Sequence, residues 1–492
     1  MSAAAIELGA SNGKLICQTG RMSNRHGLIA GATGTGKTVT LQVLAEGFSR
    51  MGVPVFAADI KGDLSGLAQP GHPHKKIDER LAQIPLSAYR QQPCPTLFWS
   101  IDSNQGHPLR TTISEMGPLL LSNLLELNET QTGILYAAFE IADDQGMLLL
   151  DLKDLRALLA WMGENSESLR NSYGNITSAS IGAIQRRLLV LEEQGAEQFF
   201  GEPALDLRDL MHCDFSGRGV ISLLDASTLI HKSPKVYAAF LLWLLAELFE
   251  QLPEVVDQER PKLVLFFDEA HLLFDDAPKS LLDKIEQVVR LIRSKGVGIY
   301  FITQSPLDIP EEILGQLGLK IEHALRAFTP KDRKTIKAVA ESFRPNPAFS
   351  TETLVTELGI GEALVSVLDE KGAPQPVERV LIAPPEGQIG PIEPKRREEL
   401  LQRSPIGSRY DQAVDRESAY ELLKKKAEAA AREEQAERER LAAERATKKN
   451  APTARRRESA GEAMMKSAAR SIGTQIGRQI IRGVLGSIFG RR

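Results

Sequence analysis

The chain has 492 residues, a length that suggests two or three structural units rather than one ordinary core. Hydrophobic residues make up 42% of the sequence and charged residues 25%, as in a soluble globular protein. The three cysteines form no C-x-x-C pair, which argues against a zinc site or a redox dithiol. The sequence shows no secretory signal and no apolar run near about 18 residues, so we expect a cytoplasmic protein without a transmembrane segment.

Charge is distributed unevenly along the chain. The net charge is −4, but residues 395–492 carry 24 Lys and Arg against 14 Asp and Glu. The rest of the chain therefore carries 36 basic against 50 acidic residues. This split predicts an acidic body with a basic tail that meets phosphate, nucleic acid or an acidic surface.

The first elements in chain order are short strands followed by a glycine-rich loop. Residues 1–25 predict a small β element, and residues 27–30 form an apolar run typical of a buried strand. The loop that follows fits the pattern G-x-x-x-x-G-K-[ST] at every fixed position, and a helical pattern comes directly after it. Backbone N–H groups of such a loop surround phosphates, so we expect a nucleoside triphosphate to bind here. The binding residues are Gly31, Ala32, Thr33, Gly34, Thr35, Gly36, Lys37 and Thr38.

Two residues of this loop have separate predicted roles. Lys37 supplies a mobile cation to the phosphates, and the Thr38 hydroxyl is a candidate ligand for Mg²⁺. A second buried strand, residues 53–59, ends in Asp59 and completes a β-α-β unit. We assign residues 26–108 to the first part of an ATPase core.

The middle of the chain changes character and then returns to alternating strands and helices. Leucine-rich helical patterns without strand signals predict a helical insertion over residues 109–212. Strand patterns near residues 219–224, 262–267 and 298–303 predict the second part of the core, residues 213–394. The fold class is therefore α/β with a mainly parallel sheet.

The strand at 262–267 leads directly into two carboxylates. Asp268 is expected to hold Mg²⁺ through its water shell, and Glu269 to orient and polarise the attacking water. The next strand is followed by Gln304, whose side chain is placed to contact the γ-phosphate from the neighbouring strand. Asp and Glu at a strand end, downstream of a phosphate loop, favour hydrolysis over simple nucleotide binding.

Taken in order, the phosphate loop, the strand-end Asp, the helical insertion, residues 265–271 (LFFDEAH) and residues 302–306 (ITQSP) resemble the HerA/FtsK group of hexameric motor ATPases. The chain most resembles the HerA-like helicase C-terminal family, typified by bacterial YjgR proteins. This resemblance implies a RecA/FtsK-like P-loop NTPase fold, ATP and Mg²⁺ as cofactors, a hexameric ring and a DNA helicase or translocase activity. An ATPase for protein assembly or signalling, acting on no DNA, is the alternative. A conjugation-type coupling ATPase is a third hypothesis, against which the expected lack of transmembrane anchors counts.

The resemblance also implies an arginine that completes the neighbouring subunit's site. Arg293, eleven residues before Gln304, matches the group's arginine finger, and Arg290 is the second candidate. The region before the phosphate loop is too short for the β-barrel through which HerA engages its nuclease partner. The resemblance therefore does not extend to a nuclease partnership.

The last segment, residues 395–492, is predicted to be a charged helical tail. A solvated helix over residues 417–447 leads to a basic, amphipathic end at residues 472–489. Glycines weaken that end as a helix in water, so it needs a surface on which to fold. We expect it to dock on the acidic ATPase body of the ring, and peripheral contact with an anionic membrane or DNA is the alternative.

Overall fold

The computed structural model describes residues 5–101, 105–256, 258–275, 279–326 and 329–449. Contacts divide these residues into two compact units. The first unit comprises residues 5–111 and 193–414, and the second comprises residues 112–192 and 415–449. The basic end of the tail, residues 450–492, lies outside the described residues, so its predicted helix and docking stay a prediction.

The first unit is built on one 12-stranded sheet. Its order is β2-β1-β12-β11-β10-β3-β9-β8-β4-β7-β5-β6. The eight strands from β10 to β6 are parallel, whereas β11, β12, β1 and β2 form an antiparallel edge. The strands are β1 (Ala5–Ser11), β2 (Lys14–Thr19), β3 (Gly27–Ala30), β4 (Val55–Asp59), β5 (Thr96–Ser100), β6 (His107–Pro108), β7 (Ile221–Asp225), β8 (Leu263–Phe267), β9 (Val297–Thr303), β10 (Leu319–His323), β11 (Glu362–Ser366) and β12 (Glu378–Ile382).

The central strands are almost continuously apolar because both faces of the sheet are covered. Every residue of β3, β4, β8 and β9 is buried, as the apolar runs predicted. The helices of this unit are α1 (Lys37–Arg50), α2 (Lys75–Leu81), α8 (Leu229–Lys232), α9 (Pro234–Gln251), α10 (Lys279–Ile292), α11 (Glu311–Leu314), α12 (Pro330–Glu341), α13 (Thr351–Glu357), α14 (Pro394–Gln402) and α15 (Gly407–Tyr410). This architecture confirms the predicted α/β fold with a mainly parallel sheet.

The second unit is helical throughout its described residues. It contains α3 (Ile113–Leu124), α4 (Glu129–Asp144), α5 (Leu152–Glu164), α6 (Ser166–Tyr173), α7 (Ser178–Glu193) and α16 (Ala419–Lys449). Buried Asp154 accepts hydrogen bonds from the Ser418 hydroxyl at 2.5 Å and the Tyr420 backbone N–H at 2.9 Å. These contacts attach the start of α16 to α5. No described helix of the protein is long and apolar enough to cross a membrane.

Two boundaries of the units differ from those that composition indicated. Residues 193–212 belong to the first unit, although the leucine-rich pattern placed them in the insertion. The first unit also continues past Pro394, the predicted end of the core beside a group of prolines, as far as Val414. The reason is Arg397, which is buried, pairs with Asp225 at 3.1 Å and lies over the ring of Phe98. A proline marks a break in a helix or strand but not the end of tertiary packing.

Candidate nucleotide-hydrolysis site

The phosphate loop joins β3 to α1 at the carboxyl edge of the parallel strands. Gly31, Gly34 and Gly36 adopt positive φ values of 139°, 77° and 118°, so the loop curls back over the start of the helix. A Cβ atom at Gly31 would lie 2.6 Å from the Cβ of His323, so only glycine fits there. The cap residue of α1 is Gly36, which makes no side-chain hydrogen bond to the first N–H groups of the helix, so these groups are available to an anion.

Lys37 lies inside this loop rather than in solvent. Its ammonium donates to the carbonyl oxygens of Gly31 at 2.6 Å and of Ala32 at 3.1 Å. Burial lowers the pKa of Lys37, with Lys61 acting in the same direction and nearby carboxylates opposing it. The loop therefore holds the cation at the point from which it can reach a bound phosphate.

Asp268 and Glu269 follow β8, two strands away from β3 in the sheet. Burial raises the pKa of Asp268 to about 6, and the neighbouring Glu269 contributes in the same direction. Glu269 has a left-handed backbone, with φ 45°, and its N–H donates to Asp268 Oδ1 at 3.0 Å. The backbone of this turn therefore holds the Asp268 carboxylate directly beside Glu269.

Gln304 is exposed and follows directly on β9, the strand that lies between β3 and β8. Because the carboxyl ends of parallel strands share one edge, Lys37, Asp268, Glu269 and Gln304 all lie at that edge. The sheet therefore brings together the phosphate loop, both carboxylates and the amide that the sequence singled out.

Two residues that the sequence did not single out also lie in this site. These residues are Lys61 and Asp63. Lys61 Nζ is 3.5 Å from Glu269 Oε1. Burial raises the pKa of Asp63, while Lys61 and the side chain of Thr38 oppose that shift. Both residues belong to a turn after β4, in which buried Asp59 accepts from the N–H groups of Gly62 and Leu64 at 2.8 and 3.1 Å. Burial raises the pKa of Asp59 to about 7. The available signal was a charged residue at the end of a buried strand, Asp59, followed closely by Lys61 and Asp63, but only the pairing of β4 with β8 places these residues beside Asp268 and Glu269.

A third such residue is Glu322 at the end of β10, beside the phosphate loop. Its side chain is 1% exposed, and its Oε1 atom has no hydrogen-bond partner among the described residues. Burial raises the pKa of Glu322 far above its usual range, while the charge of Lys37 opposes that shift. Next to it, His323 Nε2 lies 2.8 Å from the Thr40 hydroxyl and connects β10 to α1.

The residues around Thr38 fit a magnesium ion held together with a nucleotide. The described residues contain no cluster of three or more His, Cys, Asp or Glu able to hold a metal alone. Mg²⁺ generally takes one or two protein ligands and completes its shell with water and phosphate oxygens. Thr38 and Asp268 supply that small set, and Asp63 lies close enough to Thr38 for the Thr38 side chain to favour its ionised form. Because the pKa of Asp268 is about 6, its carboxyl is only partly ionised near that pH, and a divalent cation beside it would favour the ionised form.

Arg293 lies at the opposite end of the parallel strands, near the point where β9 begins. It occupies a short 3₁₀ turn, Arg293–Lys295, just before β9 begins, whereas Gln304 follows the last residue of β9. Seven strand residues span roughly 23 Å at about 3.3 Å each. Arg293 lines a cavity of about 450 Å³ together with Arg21, Arg25 and Arg290. Burial, with the charge of Arg25, lowers the pKa of Arg293.

Known proteins bear out the fold and the family. The sequence profile described as "Helicase HerA-like C-terminal" matches residues 6–492. The bacterial conjugative coupling protein TrwB, lacking its first 70 residues and unbound, has 14% identity and a TM-score of 0.51, covering 78% of this chain and 91% of that one. VirB4 of Thermoanaerobacter pseudethanolicus has 17% identity and a TM-score of 0.50, covering 78% and 97%.

TrwB in complex with a non-hydrolysable GTP analogue gives the same level of similarity, with 14% identity, a TM-score of 0.51, and coverage of 79% and 92%. No curated protein sequence matches the chain significantly. The profile covers nearly the whole chain, including the phosphate loop and the carboxylates after β8. The chain therefore belongs to the HerA-like helicase C-terminal family, and its fold is that of a P-loop ATPase.

Proposed function

We propose that the protein is a ring-forming motor that couples ATP hydrolysis to movement on DNA. The observation that carries this proposal is that Lys37 and Arg293 lie at opposite ends of the parallel strands of one sheet. Arg293 is too far from its own phosphate loop to contact the same nucleotide. An arginine with this placement contacts a nucleotide only when the surface of one subunit that carries Arg293 faces the phosphate loop of the next subunit.

Repeating such a head-to-tail contact generates a closed ring when the rotation between subunits closes. We propose a homohexamer, the state that the family resemblance implies. In this assembly Lys37 and the loop 31–38 bind the triphosphate, and Thr38 with Asp268 holds Mg²⁺. The bound metal offsets negative charge on the phosphates. Glu269 accepts a proton from the attacking water, and Gln304 contacts the γ-phosphate.

DNA is the proposed substrate, supported by membership of a helicase-like family and by the likeness to a conjugative coupling protein. TrwB structures with an ATP analogue and with ADP and Mg²⁺ support the same cofactors for this chain. The basic residues 448–492 offer positive charge, 11 Lys and Arg against 2 Asp and Glu. We propose that this tail docks on the ring, with an anionic membrane or DNA as the alternative.

The competing function is an ATPase for protein assembly or signalling. The two are separated by measuring ATP hydrolysis with and without duplex DNA over a range of salt concentrations. A motor on DNA is stimulated by the duplex, and the stimulation falls steeply with salt because phosphate contacts release counterions. Unchanged hydrolysis with DNA at low salt would contradict the DNA motor and favour the protein substrate.

A further inference from the structure

The sheet order fixes the direction in which a triphosphate must lie on the loop. Glu269 and Gln304, which act at the γ-phosphate, follow β8 and β9 on one side of β3. The γ-phosphate therefore points toward β9 and β8. The nucleoside at the other end of the triphosphate must extend away from them, toward β10, β11 and β12.

A cavity of about 440 Å³ lies on that side, immediately beside the start of α1. Gly36 and Val39 form its wall on the side of the loop. Opposite them are the turn at Ile360, just before β11, and the segment from Ala383 to Ile389, just after β12. Its volume is within the range of roughly 300–1,000 Å³ typical of small-molecule sites.

The cavity is held rigidly against the phosphate loop. The Gly361 N–H donates to the Thr35 carbonyl at 2.9 Å, which joins the turn before β11 to the loop itself. Arg80 donates to the carbonyls of Gly361 and Ile382, each at 3.0 Å, and so ties that turn to the end of β12. Gly361 has a φ of 75°, a left-handed conformation that favours glycine, and a Cβ atom there would lie 2.4 Å from the Arg80 guanidinium and displace it.

The far wall is fixed to α1 as well. The buried carboxylate of Glu46 accepts from the N–H groups of Glu386 and Gly387, both at 2.8 Å. Gln42 donates to the Gln388 carbonyl at 3.0 Å. The segment after β12 is therefore held along the same helix whose N-terminus faces the phosphates.

Two large aliphatic side chains at this cavity remain exposed to water. Ile360 is 76% exposed and Ile389 is 55% exposed. None of the described residues that line the cavity is Asp or Glu, whereas His72, His74, Lys76 and Arg80 are polar or basic. An apolar planar group attached to an anion suits this combination of aliphatic walls and absent negative charge.

We infer that this cavity is the nucleoside subsite, in which Ile360 and Ile389 cover the purine base of the bound nucleotide. The inference rests on the proposed binding of a triphosphate at the loop 31–38. Apolar contact with the base, rather than hydrogen bonds to its edge, supplies the added affinity.

The test compares the binding of Mg·ATP with that of Mg·tripolyphosphate by calorimetry, using the full chain. Tripolyphosphate reports the phosphate loop alone, and the difference in affinity reports the nucleoside. We expect ATP to bind more tightly to the wild-type protein. Ile360→Ser and Ile389→Ser should each weaken ATP binding by about 10-fold and leave tripolyphosphate binding unchanged. Val190→Ser, at a 55% exposed position on α7, is the matched control.

Each outcome has a distinct meaning. If neither ligand binds the wild-type protein, the proposed function itself fails. If both ligands bind equally well, or if the isoleucine variants weaken both to the same extent, the loop is a phosphate site but this cavity is not the nucleoside subsite. Both isoleucines are exposed, so the variants should keep the wild-type melting temperature, and unchanged ATP binding in such folded variants would equally overturn the inference.

Discussion

The ammonium of Lys61 lies 3.5 Å from the carboxylate of Glu269, the residue that we propose as the base for hydrolysis. The same cation favours the ionised form of Asp268 and disfavours the charged form of Lys37. Lys61 therefore connects the two carboxylates after β8 with the phosphate loop after β3. Lys61 lies at the phosphate loop of its own subunit, whereas we propose that Arg293, at the other end of the strands, serves the loop of a neighbouring subunit.

We first predict that Lys61→Ala lowers the rate of hydrolysis by about 10- to 100-fold, because a positive charge close to the reacting phosphate is lost. Removing Lys61 also raises the pKa of Asp268, so the acid limb of the pH–rate profile should move to higher pH. Lys337→Ala, at an exposed position on α12, is the control and should leave the profile unchanged. If Lys61→Ala were slower but its pH–rate profile did not move, Lys61 would have no electrostatic effect on the pKa of Asp268.

The second prediction separates nucleotide binding from hydrolysis. Lys37→Ala should nearly abolish triphosphate binding, because the loop loses the cation held at Gly31 and Ala32. Glu269→Gln should keep nucleotide bound while hydrolysis falls by roughly 10²-fold or more, the scale for removing a positioned base. Equilibrium binding and turnover are measured on the same preparations. Equal loss of binding in both variants would contradict separate roles.

The third prediction concerns catalysis across a subunit boundary. Arg293→Ala should lower hydrolysis by about 10²-fold or more and leave nucleotide binding nearly intact. Mixing Arg293→Ala with Lys37→Ala subunits should restore part of the activity, because some interfaces then combine an intact loop with an intact arginine. Arg187→Ala, an exposed arginine paired with Glu126, serves as the control. Full hydrolysis by a dilute monomer would remove the basis for this arrangement.

The fourth prediction is a pH dependence of metal-dependent binding. Burial raises the pKa of Asp268 to about 6, so the carboxylate is ionised above that pH and protonated below it. A protonated carboxyl is a poor partner for Mg²⁺, so affinity for a non-hydrolysable Mg·ATP analogue should hold above pH 7 and fall as pH drops through 6. Because Mg²⁺ competes with the proton, its excess should shift the midpoint to lower pH. The same titration with EDTA is the control, and an identical pH dependence there would argue against Asp268 as the group responsible.

The sequence by itself determined the parts of the site that are local in the chain. The loop 31–38 and the pair Asp268 and Glu269 are short segments that follow buried apolar strands, and both motif and strand are readable from neighbouring residues. The same patterns predicted the parallel strands β3, β4, β7, β8 and β9. They missed β5, β6, β10, β11 and β12, because pairing and burial of these short segments depend on distant partners rather than on the local pattern.

Only the tertiary structure decided which separate segments share the site. Lys61 and Asp63 reach it because β4 pairs with β8, about 200 residues away in sequence. The cavity beside Gly36 exists because β11 and β12 turn back along β10, which brings Ile360 and Ile389 close to α1. The direction of β9 in the sheet likewise decides that Arg293 lies at the end of the strands away from the phosphate loop. Such relationships arise from strand order, which depends on long-range packing that no local pattern of residues encodes.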